Sequence, residues 1–333
     1  MSLPFRQVNV FSPVPTGGNP VAVVHDADGL TDDQMAAFAR WTNLSETTFL
    51  LAPTAAGRDG GADYRVRIWT PGGELPFAGH PTLGTAHAWL EAGGEPAEQD
   101  VIQECGVGLV RVRRDAAVGS TARGQRLAFA APPLVRSGAV DDADVAQIAR
   151  SLRIDVSDVV RSAWVDNGPG WVAVQLRDAE VVLGLEPDFV AMGDLKLGVV
   201  GEYLVGEDTV GEDTVGEDTV GEDTVGEGVA GEGVVSEEKV GEHGTAGSRE
   251  PSGPAVEVRA FVPALGSAED PVTGSLNAGL GQWLAGDVLP SSYVASQGTV
   301  LGRAGRVYVE KRSDGEVWVG GDAVTTIVGQ VEF

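Results

Sequence analysis

The sequence predicts an α+β fold of two pseudo-symmetric halves, in which each half wraps a curled, mixed β-sheet around one central α-helix. First, the motif E-x-P-x-x-G-x-x-x-x-G occurs twice, in ELPFAGHPTLGTAHAWL (74–90) and in EDPVTGSLNAGLGQWL (269–284). Second, similar strand patterns precede the copies, VRIWTP (66–71) and VRAFVP (258–263). Third, strand patterns outnumber helical ones along the chain. Two copies of one strand–turn–helix unit indicate two halves that face each other, with function where the two helix starts meet.

The first half contains strand patterns and a helix with a clear start signal. Thr31 and Gln34 fit a capping box, in which two side chains satisfy free backbone N–H groups, so we expect a helix from there to about Trp41. The motif helix of residues 74–90 follows later. Alternation and turn residues predict strands at 5–12, 20–27, 47–53 and 64–70, and a hairpin at 101–114.

The second half repeats this order. DDADVAQIARSL (141–152) predicts a helix that matches DDQMAAFARWT in the first half. We therefore expect an N-terminal half of residues 1–118 and a C-terminal half of residues 119–324, with the last strand, about 325–333, joining the first half. Strands of the second half are predicted at 126–133, 171–176, 195–200, 293–312, 317–324 and 325–333, with Gly turns between the last ones.

An acidic repeat interrupts the second half. VGEDT recurs as a pentapeptide through residues 205–225 and then degenerates. A period of five suits neither a helix nor a strand, and Gly with paired acids cannot bury a core. We therefore predict a disordered acidic insertion at about 206–254. One alternative is a calcium-binding repeat, although the spacing lacks the ligand pattern of an EF-hand; another is an interaction segment.

Composition limits the expected partners and compartment. The formal net charge is −26, and the 14 Asp and Glu and one Lys between Glu202 and Glu242 account for half of it. No basic stripe offers contacts to phosphates or to an anionic membrane, so we expect neither a nucleic acid nor a membrane as partner. The N-terminal MSLPFRQVNVF lacks the basic and apolar regions of a signal peptide, so a cytoplasmic protein is expected.

Cysteine and histidine usage limits the chemistry. Cys105 is the only cysteine, which excludes an intrachain disulfide, a cysteine-based zinc site and a two-cysteine acid/base pair. The four histidines lack a metal-ligand spacing, so no metal is expected. His25 has no obvious partner, and His87 is expected to be packed or exposed rather than catalytic.

The two predicted helix starts form the candidate binding site. A helix start presents unpaired N–H groups and the positive end of the helix dipole, which attract a carboxylate. Gly79 and Gly274 would let a ligand approach the backbone closely, although a glycine there can also simply form a tight turn. His80 and Ser275 occupy matching positions. A Ser at such a place is typically an N-cap, and His80 precedes Pro81, which suits a first helical position; either side chain could face a substrate.

Three more polar residues are candidates. Asp270 lies just before the second helix, where the first copy has Leu75; this asymmetry suits an active site, whereas Asp-Pro is also a common turn start. Glu46, in NLSETTF, would by itself be a surface carboxylate. Near the cleft, however, desolvation would raise its pKa and allow it to take and return a proton. Asn19 follows two glycines and fits a turn.

These motifs resemble the phenazine biosynthesis PhzF-like family. The resemblance implies the diaminopimelate epimerase fold, which has two pseudo-symmetric halves, each with a curled sheet around a central helix. It also implies a homodimer, since relatives are commonly homodimers. The matching segments span nearly all of the chain except the acidic insertion, and they are GNPVAVV (18–24), NLSETTF (43–49), ELPFAGHPTLGTA (74–86), EDPVTGS (269–275) and QGTVLGRAGRVYV (297–309).

The resemblance implies an isomerase that needs no cofactor and moves a proton on a small carboxylate substrate. The best understood family member isomerises a dihydro-hydroxyanthranilate on the way to phenazines. The catalytic residues implied here are Glu46 as the acid/base, with Asp270 and His80. The implied substrate-binding residues are Gly79, Gly274, Ser275 and Asn19. Epimerases of this fold carry a cysteine at each helix start, where this chain has His80 and Ser275.

Two other functions stay open. One is an isomerase or epimerase of an unrelated substrate, because family membership does not fix the substrate. The other is a non-catalytic small-ligand-binding protein that kept the fold. The presence of Glu46, Asp270 and His80 together argues against the second, because a protein that had lost catalysis would be expected to lose at least one of them.

Overall fold

The computed structural model describes residues 1–114, 125–204, 253–265 and 267–333, which contain 17 β-strands and seven α-helices. The strands are β1 (Ser2–Val10), β2 (Asn19–Val24), β3 (Glu46–Leu51), β4 (Tyr64–Thr70), β5 (Gly73–Leu75), β6 (Val101–Cys105), β7 (Gly108–Arg114), β8 (Gln125–Ala130), β9 (Arg136–Gly138), β10 (Arg161–Asp166), β11 (Trp171–Gln175), β12 (Lys196–Glu202), β13 (Val256–Phe261), β14 (Glu269–Asp270), β15 (Ser292–Gln297), β16 (Gly305–Lys311) and β17 (Val317–Glu332). The helices are α1 (Asp32–Thr42), α2 (Ala55–Asp59), α3 (Gly79–Glu91), α4 (Asp142–Leu152), α5 (Ala179–Leu183), α6 (Phe189–Met192) and α7 (Gly274–Leu284).

Eight strands form a closed circuit around α3. Strands β1, β2, β3, β4, β6, β7 and β8 pair in that order, and β17 pairs with both β8 and β1 to complete the circuit. Helix α3 packs against β1, β2, β8 and β17, and all of its residues from Gly79 to Ala88 are buried. A helix enclosed in this way needs small and apolar residues on every side, which explains its Gly, Ala and Thr content.

The same order of pairings recurs around α7. Strands β10, β11, β12, β13, β15, β16 and β17 pair in sequence. The alternation of antiparallel and parallel pairs is that of β1 to β8, with β2–β3 and β4–β6 parallel in the first set and β11–β12 and β13–β15 in the second. Helix α7 packs against β10, β16 and β17. The predicted α+β fold, with a curled mixed sheet around a central helix in each half, is confirmed.

The glutamate of the duplicated motif has the same structural partner in both halves. Arg67 donates to Glu74 through Nε and Nη2, both at 2.7 Å. Arg259 donates to Glu269 in the same two-pronged way, at 2.9 and 2.7 Å. Each pair joins a long strand to the short strand antiparallel to it, β4 to β5 and β13 to β14. The repeated glutamates therefore fix the hairpin that leads into each central helix.

Two predictions of local structure can be compared directly. The capping box is confirmed: the Thr31 backbone N–H donates to the Gln34 side chain at 3.0 Å, and the Gln34 N–H donates to Thr31 Oγ1 at 3.3 Å. The prediction of separate strands at 317–324 and 325–333 is wrong, because β17 is continuous. Gly321 marks no turn; a Cβ there would lie 2.3 Å from Phe11 Cδ1, so the glycine allows a close approach between strand and ring.

The last strand returns to the first. Residues Ala323 to Glu332 of β17 pair antiparallel with β1. The predicted boundary between the halves, at 118 and 119, lies outside the described residues, and so do residues 205–252, which make up nearly all of the predicted acidic insertion. No helix in the described part of the chain is long and apolar enough to cross a membrane.

Candidate active site

The two central helices begin against each other. Helix α3 starts at Gly79 and α7 at Gly274. A Cβ added to Gly79 would lie 2.7 Å from the Gly274 Cα, and one added to Gly274 would lie 2.9 Å from the Gly79 Cα. Only glycine at both positions lets the two backbones come this close. The contact brings two sets of helix-start N–H groups into one region.

Four of the predicted site residues meet beside this contact. Glu46, at the start of β3, places Oε2 3.3 Å from His80 Nε2. Asn19, fully buried at the start of β2, donates from Nδ2 to Asp270 Oδ1 and to the Val272 carbonyl, both at 2.9 Å. The same Nδ2 lies 3.2 Å from His80 Nδ1. Asn19 therefore joins the acidic residue before α7 to the histidine of α3.

The Glu46–His80 contact joins two neutral groups. Burial raises the pKa of Glu46, and the nearby charge of Asp270 raises it further. Burial lowers the pKa of His80 to about 3, and the Pro20 backbone opposes this only in part. The short distance would suit an ion pair, but burial without a cation nearby disfavours both charges. We conclude that near neutral pH the histidine is uncharged and much of Glu46 is protonated.

Both facing atoms of this contact are free to bind a further group. Glu46 Oε2 and His80 Nε2 are buried and have no hydrogen-bond partner among the described residues. The Glu46 side chain as a whole is 13% exposed. A buried polar atom without a partner is costly, and such atoms cluster where a ligand is to be bound. The two atoms can thus meet a ligand, and the small exposed part of Glu46 gives water access to the side chain.

Asp270 differs from Glu46 in its surroundings. Burial raises its pKa as well, but hydrogen bonds from Thr273 and Asn19 act in the opposite direction. The Thr273 hydroxyl donates to Asp270 Oδ2 at 2.6 Å, so both carboxylate oxygens of Asp270 accept a hydrogen bond. Donors favour the charged form of a carboxyl. Of the two acids, Asp270 is the better carboxylate and Glu46 the better proton carrier.

Ser275, the counterpart of His80 at the second helix start, carries no charge. Ser275 Oγ accepts a hydrogen bond from the Trp171 indole at 3.0 Å, and its carbonyl accepts one from Asn167 at 2.8 Å. Trp171 is the first residue of β11, as Asn19 is of β2. The contact of Trp171 with Ser275 in the second half therefore corresponds to that of Asn19 with His80 in the first half. The first half therefore presents Glu46 and His80, and the second half presents Asp270 and a Ser275 hydroxyl that is already bound to an indole.

Some details of the sequence predictions are wrong. Ser275 and His80 are second residues of their helices, and the N-cap positions belong to Thr273 and Ala78. Each helix begins at its glycine, two residues earlier than an N-cap at Ser275 and a first helical position at Pro81 predict. Asn19 is a strand residue and not a turn residue. His25 does have a partner, because Arg6 Nη1 lies 3.1 Å from its Nε2.

His87 is packed inside the protein, one of the two placements expected for it. It is buried in α3, and its Nε2 lies 3.1 Å from Thr325 Oγ1 of β17. The described residues hold no group of three or more His, Cys, Asp or Glu side chains that could bind a metal. Two surface cavities, of about 430 and 470 Å³, are lined by other residues and include none of the seven predicted site residues.

Sequence reasoning missed several residues that support the site. Ser45 donates to Asn19 Oδ1 at 3.1 Å and fixes the orientation of that amide. Gln297 contacts Thr273 through both ends of its amide. The available signals were weak: Thr273 precedes the second motif helix, and Gln297 opens the segment QGTVLGRAGRVYV. Neither position suggests by itself that the two side chains meet.

Comparisons with known proteins agree with this architecture. A family model described as PhzC-PhzF, phenazine biosynthesis-like protein, matches residues 8–212 and 235–329. Antisense-enhancing sequence 1 of Schizosaccharomyces pombe is 33% identical over 337 residues, which cover 98% of this chain and 97% of that protein. Trans-2,3-dihydro-3-hydroxyanthranilate isomerase of Pseudomonas fluorescens is 36% identical over 187 residues, 56% of this chain and 62% of that enzyme, which is less than two thirds of its length. A solved PhzF-family structure from Bacillus anthracis, 20% identical, superposes with a TM-score of 0.70 over 100% of both chains and shares the fold.

Proposed function

Because the chain belongs to the phenazine biosynthesis-like PhzC-PhzF family, we propose that it is a cofactor-independent isomerase in which Glu46 moves a proton on a small carboxylate. Membership confirms the family predicted from the sequence, and the named isomerase among its relatives confirms the predicted enzyme class. The substrate, the role of each residue and the predicted homodimer are proposals.

One observation carries the proposal: the buried, unpartnered Glu46 Oε2 beside the unpartnered His80 Nε2. A general acid/base works best when its pKa lies near the working pH. Burial raises the pKa of Glu46 from its ordinary acidic value towards neutral pH. Its ionised form takes a proton from a carbon of the substrate, and the resulting acid returns a proton to another position. The electrons of the broken C–H bond move through the substrate, so no oxidant or reductant takes part.

The surrounding groups bind and orient the substrate in this proposal. The N–H groups at the starts of α3 and α7 would hold its carboxylate. Asp270, held as a carboxylate by Asn19 and Thr273, would accept a hydrogen bond from an amino or hydroxyl group of the substrate. Neutral His80 would hydrogen-bond the reacting region without competing for the proton of Glu46. This arrangement favours amino or hydroxy carboxylates as substrates.

Turnover in heavy water tests the proposal. The substrate of the P. fluorescens relative, trans-2,3-dihydro-3-hydroxyanthranilate, is the first probe, followed by other small cyclic amino and hydroxy carboxylates. We expect an isomeric product that carries solvent deuterium at the newly protonated carbon, because the partly exposed Glu46 can exchange its proton. Saturable binding of these compounds without turnover would instead support a non-catalytic binding protein.

A further inference from the structure

Gln297 lies at the end of β15, outside both copies of the duplicated motif, and it is fully buried. Its Oε1 accepts hydrogen bonds from the Thr273 backbone N–H at 3.0 Å and from Asn277 Nδ2 at 2.9 Å. Its Nε2 donates to Thr273 Oγ1 at 2.9 Å. A second, longer contact runs from Nε2 to the Asp270 carbonyl at 3.3 Å. Every polar atom of this amide is thus engaged around the N-cap of α7.

The hydrogen bonds fix the direction of the amide. Oε1 faces two N–H donors, so the reversed amide would set N–H against N–H. Nε2 must therefore point at Thr273 Oγ1 and donate to it. A threonine hydroxyl has a single hydrogen. With its oxygen already accepting from Gln297, Thr273 directs that hydrogen to Asp270 Oδ2, 2.6 Å away.

We propose that Gln297 is a positioning residue for the reaction: acting through Thr273, it directs a hydrogen bond to Asp270 and keeps that residue the carboxylate of the site while Glu46 carries the proton. Gln297 itself is placed to touch the hydroxyl and not the substrate. The inference rests on the proposed function for its kinetic consequence, but the hydrogen-bond relay to Asp270 can be tested without turnover.

The charges around Asp270 make this relay necessary. The titratable groups near it are Glu46 on β3, His80 on α3 and Glu269 on its own strand, and the last of these is already paired with Arg259. His80 is neutral, so no cation among the described residues balances the charge of Asp270. Two carboxyls in one site cannot both ionise easily, and the one with more donors ionises first. Loss of the hydrogen bond from Thr273 would make Asp270 harder to ionise and would bring its pKa closer to that of Glu46.

The test compares Gln297→Met and Thr273→Val, alone and combined, with Thr273→Ser as the conservative variant. Gln282→Met is the matched control, because Gln282 is a partly buried glutamine on α7 whose amide bonds the distant Pro132 carbonyl. The apparent pKa of Asp270 is measured by carbon-13 NMR of labelled aspartate carboxyls, with Asp270→Asn to assign the signal. The kcat and its pH profile are measured with the best substrate from the heavy-water panel.

We expect Gln297→Met and Thr273→Val each to raise the apparent pKa of Asp270 and to lower kcat by about 10- to 100-fold, the usual effect of losing a hydrogen bond to a charged group. The part of the kcat profile at pH values below the pKa of Glu46, where Asp270 also becomes protonated, should move to higher pH. The double variant should be no worse than Thr273→Val, because Gln297 acts through the Thr273 hydroxyl. Thr273→Ser and Gln282→Met should behave like the wild type.

The inference would be overturned if the pKa of Asp270 were unchanged in Thr273→Val. It would also be overturned if the losses in kcat from the two single variants multiplied in the double variant. If Gln297→Met does not fold, the pair Thr273→Val and Thr273→Ser still decides between a relay and a merely structural contact. Absence of turnover in the wild type would contradict the proposed function alone, since the titration of Asp270 is read on the free protein.

Discussion

Glu46 Oε2 and His80 Nε2 lie 3.3 Å apart, both buried and both without a hydrogen-bond partner among the described residues. The two residues come from separate elements, β3 and the start of α3. Since burial makes both of them neutral near pH 7, their contact does little to stabilise the fold as an ion pair. It leaves a proton donor and a proton acceptor facing the same point, which is the arrangement that proton transfer requires.

Glu46→Gln should abolish turnover. The amide keeps the shape of the side chain but cannot take a proton from carbon, so kcat should fall by at least about 10³-fold, within the range of general acid/base catalysis. The measurement is steady-state kinetics on the substrate identified in heavy water. Glu74→Gln is the control, because Glu74 is the motif glutamate that pairs with Arg67. Wild-type kcat in Glu46→Gln would remove Glu46 from the mechanism.

The same substitution should change how stability depends on pH. The pKa of Glu46 is raised in the folded protein, so its contribution to stability is present below its unfolded pKa of about 4.5 and is lost as pH rises towards the folded pKa. Glu46→Gln removes this loss of stability, which amounts to about 1.4 kcal/mol for each unit by which folding raises the pKa of Glu46. The free energy of unfolding should therefore favour the variant more strongly at about pH 8 than at about pH 5.

Denaturant unfolding of both proteins at the two pH values measures this difference. The other titrating groups, including His80, are common to the two proteins and cancel to first order. If the difference in the free energy of unfolding between variant and wild type does not grow with pH, Glu46 has an ordinary pKa in the folded protein.

Glycine at the helix contact should be required for stability. Gly79→Ala places a Cβ 2.7 Å from Gly274 Cα, and backbone atoms at the start of α7 cannot move aside cheaply. We expect a loss of about 1–3 kcal/mol in the free energy of unfolding, as for other overpacked sites. Gly329→Ala is the matched control, since a Cβ at Gly329 meets no atom within 4 Å. Equal stability of the two variants would contradict the close contact.

The main outline of the fold could be predicted because it is encoded in local patterns. The duplicated motif and the strands before it predict two central helices, and the capping box at Thr31 predicts the start of α1. The last strand was expected to join the first half, but the order of the strands around α3 could not be predicted, because it depends on pairing between distant strands such as β1 and β17. Such pairing is set by burial on both faces and leaves no local signal.

The site was predictable only in part, for a similar reason. Glu46, His80 and Asp270 occur in recognisable motifs, whereas their supporting contacts are long-range. Gln297 and Thr273 are 24 positions apart, and their hydrogen bonds depend on how β15 lies beside α7. A glutamine at the end of a strand and a threonine before a helix are both common, so neither residue type identifies a relay.

The acidic repeat should be dispensable for catalysis. The chain on either side of it is already joined within the described residues: Glu202 pairs with Val256 across β12 and β13, and the Tyr203 N–H donates to the Ala255 carbonyl at 2.9 Å. Replacing residues 206–252 by a short Gly-Ser linker should therefore preserve this strand pair. We expect kcat/KM within about threefold of the wild type, since the length of a connection between two paired strands has little effect on free energy. Loss of more than about tenfold in kcat/KM, with the melting temperature unchanged, would show that the repeat acts in function and not only as a connection.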